Sequence, residues 1–144
     1  MGTTIHAHIE VKKNNTWLHY GAPDVSRNYL LFAAINGEQL EDFRPSVRDK
    51  IIPQASIKEL PDDISDVTKL CYEYDMDGYH IHGEGTLTAN DIRNLQNHLY
   101  ELNEMTLNYQ NKWCLETLFK TYINDGTIAG HKGWDDVRIV FWYE

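Results

Sequence analysis

The sequence TTIHAHIEVK, residues 3–12, decides how the chain begins to fold, because apolar and polar residues alternate along it. In a β-strand successive side chains point to opposite faces of the sheet. The alternation therefore predicts a strand with one buried face and one polar face. The buried face takes Ile5, Ala7, Ile9 and Val11. The polar face takes Thr4, His6, His8, Glu10 and Lys12.

Three further segments predict strands that pair with this one. Asn14-Asn15 is a turn signal, and residues 17–20 continue as the second strand of a hairpin. Residues 79–87 form a strand pattern interrupted by two glycines, which indicate a bulge or a close approach of backbone. Residues 137–143 are β-branched and aromatic on both faces, which is typical of a central strand.

Helical patterns lie between the strands. The first runs through residues 29–35, with Asp24 or Ser26 as its cap and an end at Asn36-Gly37. Ser65 caps the second, which ends in a turn at residues 75–78. Its spacing predicts inward-facing Val67, Leu70, Cys71 and Tyr74. A Thr88–Asp91 pattern resembling a capping box opens the third, with a buried stripe of Ile92, Leu95, Leu99 and Leu102. A further pattern buries Leu115, Leu118, Phe119, Tyr122 and Ile123.

Together these elements predict an α+β fold. We expect an antiparallel sheet of about four strands with helices packed on it, in a single domain of residues 1–144. Residues 38–62 show no stable period, and a loop of this length in a compact domain is usually functional or mobile.

The charge balance narrows the classes of partner. With 22 acidic and 13 basic residues the formal net charge is −9, which argues against binding duplex nucleic acid. An acidic surface suits solubility or the blocking of a basic partner. No apolar stretch is long enough to span a membrane and the N-terminus lacks a signal pattern, so we expect a soluble, cytoplasmic protein without a membrane partner.

Two histidine pairs, His6–His8 and His80–His82, are the main candidates for a functional site. In strands each pair places two imidazoles on one face, and imidazole titrates near neutrality, ligates metals and contacts phosphate. The pairs are similar to those of two-histidine phosphoesterases, although those carry Ser or Thr where His8 and His82 stand. One histidine as base and another as acid would suit phosphodiester cleavage, but the sequence assigns no catalytic residue.

A divalent metal is a second interpretation of the first strand. His6, His8 and Glu10 are of the residue types that bind zinc and related ions. On a straight strand the three span about 13 Å, so one ion needs a bulge or ligands from elsewhere, such as His80, His82 or Asp77. The alternative is a polar strand surface facing solvent.

A binding pocket places fewer requirements on its residues than an active site, because it only has to hold a ligand. Its predicted lining is His6, His8, His80, His82, Arg138 and Trp134. Aromatic rings offer faces on which a nucleobase can stack, and cationic groups can hold phosphate. Arg138 lies in the predicted central strand, where a buried guanidinium needs a carboxylate partner, and Glu10 and Asp77 are the candidates.

Several short motifs resemble those of a group of uncharacterised phage and prophage proteins. That group opens with a strand G-x-D-I-H-x-x-x-E, continues with R-N-Y-x-L-F, L-P-x-D-V-S and D-G-H, and ends in V-R-I-V-F-W. The matching pieces here are Ile5-His6 with Glu10, residues 27–29 with 31–32, residues 60–65, Asp77-Gly78 and residues 137–142. Thr4 stands where the group has Asp and Tyr79 where it has His, and each change removes a candidate metal ligand. The resemblance implies a phage origin and a small accessory role, and it brings no established activity.

Three functional hypotheses follow. The first is a phage accessory protein that binds a phosphate-bearing, nucleotide-like ligand and counteracts host defence signalling in the cytoplasm of the infected bacterium. The second is a metal-assisted or two-histidine phosphodiesterase that cleaves such a nucleotide. The third is an acidic protein that blocks a host protein through its surface. The aromatic-rich final strand suits either the core or the edge of a homo-oligomer, so the oligomeric state stays open.

Overall fold

A computed structural model describes residues 2–25, 27–106 and 133–144, with the backbone alone for residues 103–106. In these residues four strands form one antiparallel sheet in the order β2-β1-β4-β3. The strands are β1 (Ile5–Lys13), β2 (Thr16–Gly21), β3 (His82–Leu87) and β4 (Asp136–Tyr143). The predicted central position of the last strand is confirmed, because β4 pairs with β1 on one side and β3 on the other.

Four helices accompany the sheet in the described part of the chain. They are α1 (Tyr29–Asn36), α2 (Pro45–Arg48), α3 (Asp66–Gly78) and α4 (Ala89–Thr106), and a 3₁₀ turn (Leu40–Asp42) precedes α2. The predicted α+β fold is therefore confirmed. None of the helices described has the length and apolarity needed to cross a bilayer.

Local sequence signals explain several of the element boundaries. Asn14 and Asn15 have φ of 51° and 68°, and this two-residue turn closes the β1–β2 hairpin as predicted. Gly37 ends α1 in the left-handed region at φ 84°, donating its N–H to the Ala33 carbonyl at 2.9 Å. Thr88 and Asp91 bond each other's backbone N–H at 3.1 Å, so the predicted capping box is present.

The apolar core lies between one face of the sheet and the helices α1 and α4. The predicted inward residues of β1 are all buried, and so is the predicted stripe of α4. Gly85 lies in β3 where a Cβ would come within 2.5 Å of the Phe141 ring, so close packing of strand on side chain explains this glycine. A register shift between His82 and Gly85 confirms the predicted irregularity. The core residues from the sheet and the two helices are Ile5, Ala7, Ile9, Val11, Leu30, Leu31, Phe32, Ala33, Ala34, Ile35, Leu87, Ile92, Leu95, Leu99, Leu102, Val137, Ile139, Phe141 and Tyr143.

Some predicted boundaries are wrong. The cap of α1 is Asn28, whose side chain accepts from the Leu31 N–H at 3.1 Å, rather than Asp24, and Ser26 lies outside the described residues. Residues 75–78 continue α3 instead of forming a turn, and β3 starts three residues later than expected. The predicted helical pattern over residues 115–123 also lies outside the described residues.

The orientation of α3 is the largest difference from the prediction. Val67, Leu70 and Tyr74 were expected to face inward, but they are 51%, 66% and 78% exposed. The buried residues of α3 are instead Thr68 and Asp75, both polar. Cys71 of the same predicted stripe is a free thiol and only partly buried. The reason lies in the face of the sheet that α3 covers.

Candidate functional site

The second face of the sheet carries polar side chains from both central strands. In the β1–β4 register, His6 lies opposite Trp142, His8 opposite Val140 and Glu10 opposite Arg138. This face does not point to solvent, since His8 is 6% exposed and Glu10 is 0% exposed. Helix α3 and the loop before it cover the face, so His8 and Glu10 lie in a polar layer that is buried at its centre, whereas His6 at its edge is only partly buried.

A buried ion pair lies at the centre of this layer. Arg138 donates from Nε to Glu10 Oε1 at 2.8 Å, and its Nη2 lies 2.7 Å from the same oxygen. The other carboxylate oxygen, Glu10 Oε2, accepts from the Ser65 backbone N–H at 2.9 Å. Of the two predicted carboxylate partners of Arg138, Glu10 and Asp77, the structure shows Glu10. The pair satisfies a carboxylate that would otherwise be costly to bury.

The same guanidinium also holds the loop that leads into α3. Its Nη1 donates to Asp63 Oδ1 at 2.8 Å and its Nη2 to the Asp63 carbonyl at 3.1 Å. The hydrogen bond from Arg138 lowers the pKa of the Asp63 carboxyl below its usual value. The Trp17 ring covers the guanidinium at 3.9 Å from its centre. Arg138 therefore already has two carboxylates and an aromatic face as partners.

Two cavities share Trp17 as a lining residue, and both are also lined by carboxylates. One, of about 430 Å³, is lined by Asp63 and Asp66 together with residues of β2. The other, of about 260 Å³, is lined by Glu59, Asp62 and Asp136 beside Arg138. The negative charge of these walls disfavours an anionic ligand at this place.

A pair of imidazoles continues the polar layer toward β2. His8 Nδ1 and His19 Nε2 lie 3.1 Å apart, so one ring donates to the other. His8 also stacks on the Trp142 ring, with 4.7 Å between centroids and 18° between planes. Burial, followed by the neighbouring His19 and His6, lowers the pKa of His8 to about 4. Burial lowers the pKa of His19 as well, so both rings are neutral at pH 7.

Several hydrogen bonds and one aromatic contact, between the rings of Tyr72 and Trp142 at 5.1 Å between centroids, hold α3 on this face. The indole N–H of Trp142 donates to Asp75 Oδ2 at 2.9 Å, and the Tyr72 hydroxyl donates to Glu84 at 3.0 Å. His6 Nδ1 lies 3.5 Å from the same Asp75 oxygen. Ser65 caps the helix by accepting from the Thr68 N–H at 3.3 Å. The side of α3 that packs on the sheet is therefore its polar side.

Because the polar side of α3 packs on the sheet, its apolar side faces outward. Val67, Leu70 and Tyr74 are spaced i, i+3 and i+7, which places them in one row along the helix. We call these three residues the apolar row. An open depression of about 720 Å³ on the same helix is lined by residues 70, 72–74, 76 and 77. An exposed apolar patch with a polar rim is typical of an interaction surface.

The structure does not assemble the predicted ligand pocket in one place. His6, His8 and Arg138 lie in the polar layer, as described above. His82 lies on the other side of the sheet, where its Nε2 is 2.9 Å from Glu38 Oε1 and its ring stacks on Tyr143. His80 is exposed, with its ring 6.4 Å from that of His82. Trp134 packs against the core and contacts the Tyr20 ring at 4.7 Å.

The predicted metal ligands likewise have other partners. Both oxygens of Glu10 accept hydrogen bonds from protein groups, and His8 pairs with His19. The β1–β2 register does shift between Ile9 and Glu10, but the shift leaves Glu10 facing Arg138. Within the described ranges no group of three or more His, Cys, Asp or Glu side chains could hold a metal ion.

Sequence reasoning missed the groups that α3 and its preceding loop bring to the layer. Asp63, Ser65 and Asp75 contact Arg138, Glu10 and Trp142 respectively. A signal for the first two was present, because both belong to the L-P-x-D-x-S motif of the resemblance. Glu10 of the opening motif and Arg138 of the closing motif bind each other, and both also contact residues of the L-P-x-D-x-S motif. These three motifs therefore form one hydrogen-bonded cluster in the structure.

Comparison of the chain with models of protein families, with curated proteins and with solved structures finds no match. The function therefore has to be inferred from the geometry of the chain itself.

Proposed function

We propose that the protein binds another protein, one with a basic surface, and that it does so through α3 and the loop before it. The observation that carries this proposal is the exposed apolar row of α3. Single exposed apolar side chains are ordinary, whereas three in one row on a helix, rimmed by charge, favour a contact surface. Of the three functions that the sequence predicted, this is the acidic blocking protein.

The charge of the same region supports a basic partner. Residues 57–79 contain seven carboxylates and two lysines, and of those carboxylates only Asp75 is buried. Together with the net charge of −9, this surface would attract a cationic partner and accelerate its association. The attraction would weaken as salt is added.

The phosphate-ligand hypothesis has less support from the described residues. A phosphate group needs a cation that is free to face it, but Arg138 is paired with Glu10 and Asp63, and His8 is neutral at pH 7. The carboxylates of both Trp17 cavities would repel the ligand. The phosphodiesterase hypothesis shares this difficulty, since its substrate carries the same charge.

A nucleotide panel decides between these functions. The protein is incubated with cyclic and ADP-ribose-type nucleotides, with and without divalent metal, and the mixture is followed by liquid chromatography. We expect every nucleotide to stay free and unchanged. Conversion to a product would make the protein an enzyme, and a nucleotide that is sequestered and then released intact by heat would make it a nucleotide-binding protein.

Because the sequence resembles phage proteins, we propose a bacterial host protein as the partner and the cytoplasm of the infected cell as the place of action. The test is capture from bacterial extract by the wild-type chain, by Leu70→Asp and by Ile52→Asp. Ile52 is a matched control, because it is 62% exposed against 66% for Leu70 and each variant adds one negative charge.

We expect the wild type and the Ile52→Asp variant to capture a basic protein that the Leu70→Asp variant does not capture. The captured amount should fall as salt is added. The captured protein is then identified by mass spectrometry and its binding is repeated with purified components. If the three chains retain the same set of proteins, the proposal is wrong.

A further inference from the structure

The exposed side of α3 carries two parallel rows of different chemistry. The apolar row defined above is one of them. Asp66, Glu73 and Asp77, spaced i, i+7 and i+11 and all exposed, form the other, which we call the acidic row. At about 100° per residue the two rows are neighbours on the helix surface. A partner that covers one row therefore meets the other.

The length of α3 limits the shape of this partner. Its 13 residues extend about 20 Å, and the residues that line the depression lie between Leu70 and Asp77 of the helix. Three apolar anchors at i, i+3 and i+7 match the anchor spacing of a second helix lying alongside. A second helix is thus the element that can contact both rows over their whole length.

We infer that the partner contacts α3 with an amphipathic helix that places apolar side chains on the apolar row and Lys or Arg side chains on the acidic row. This inference rests on the proposed function and names the element that the partner supplies. A second copy of this chain fits less well, because two copies of α3 would bring like charges together. Lys69 is the single exposed cation on α3, so the surface selects for positive charge.

The probe is a synthetic peptide of about 20 residues, long enough to form a helix, with leucines in one row and lysines in the adjacent row. One control peptide has the same composition in an order without an apolar face. Another carries glutamate in place of lysine. Binding of each peptide to the full chain is measured by titration calorimetry at low and high salt.

We expect the lysine peptide to bind, with affinity that falls as salt is added, and each control peptide to bind at least about tenfold more weakly. Leu70→Asp should weaken binding by about tenfold or more, while Ile52→Asp should change it less than about twofold. The double variant Glu73→Lys, Asp77→Lys should lose the lysine peptide and gain the glutamate peptide. This exchange would not follow from a merely structural role of the two carboxylates.

The outcomes separate this inference from the function on which it rests. If extract capture depends on Leu70 but no peptide binds, the partner uses another element, and the inference fails while the proposed function stands. If capture is independent of Leu70, the proposed function fails first. Light scattering of the chain alone tests whether a second copy occupies α3. A dimer that Leu70→Asp dissociates would place a second copy on α3 and overturn the inference.

Discussion

The two faces of the sheet are covered by helices in opposite ways. On one face α1 and α4 bury apolar side chains against apolar strand residues, and the stability comes from removing that surface from water. On the other face α3 is held mainly through hydrogen bonds, in which Ser65 pairs with Glu10, Tyr72 with Glu84 and Asp75 with the indole N–H of Trp142. The Tyr72 ring also packs edge-on against Trp142. A largely polar sheet face therefore packs against the polar side of its helix, and the apolar row on the other side of that helix is exposed.

The largest effect should come from breaking the buried ion pair of the polar face. In Arg138→Met, Glu10 stays buried without a cation, and we expect unfolding to become easier by about 3–5 kcal/mol. Urea denaturation measures the change. The double variant Arg138→Met, Glu10→Gln removes both charges and keeps an acceptor for Ser65, so it should recover at least about half of the loss. A double variant as unstable as the single one would contradict the role of the charge.

A pH titration tests the neutral imidazole of the same face. Folding lowers the pKa of His8 from 6.5 to about 4, so between these values the unfolded chain binds a proton that the folded chain does not. The contribution of His8 to stability is therefore fully present only well above pH 6.5, decreases as the pH falls through that value, and amounts to a loss of about 3 kcal/mol by pH 4. The difference between wild type and His8→Gln isolates this contribution from the carboxylates. Parallel stability curves for the two proteins would refute it.

A smaller effect should be confined to α3. Asp75→Ala leaves the buried indole N–H of Trp142 without its acceptor, and we expect a loss of about 1–3 kcal/mol. Hydrogen exchange should accelerate in α3 while α1 and α4 keep their protection. Asp77→Ala, on the exposed side of the same helix, is the control and should leave exchange unchanged. Uniform acceleration over all helices would show that α3 is not a separate unit.

The smallest effect sharpens the comparison between the two kinds of helix. Leu70→Ala should change stability by less than about 0.5 kcal/mol, because the side chain is 66% exposed. Leu95→Ala on α4 should cost about 2–5 kcal/mol, because that side chain is fully buried. Thermal unfolding of the pair is the measurement. A cost for Leu70 close to that for Leu95 would mean that α3 faces inward, as its spacing alone indicates.

The sequence by itself determined the elements whose signals are local. Alternation along residues 3–12 gave the two faces of β1, Asn14-Asn15 gave the hairpin, and Gly37 gave the end of α1. The stripe of α4 was also predictable, and so was the need of Arg138 for a carboxylate, with Glu10 as one of two candidates, because an apolar face or a buried charge can be satisfied in few ways. These features depend either on residues within a few positions of one another or on a single energetic requirement, the burial of an apolar face or the pairing of a buried charge.

Only the tertiary structure decided which side of α3 meets the sheet and where each histidine pair lies. The spacing of Val67, Leu70 and Tyr74 indicates an inward face, but the strand face offered to α3 carries Glu10 and Arg138. Ser65 contacts Glu10 across 55 residues of chain, and Glu10 and Arg138 are separated by 128. Helical periodicity reports that a helix has two different sides. Which side is buried depends on the polarity of the surface that distant residues bring to it.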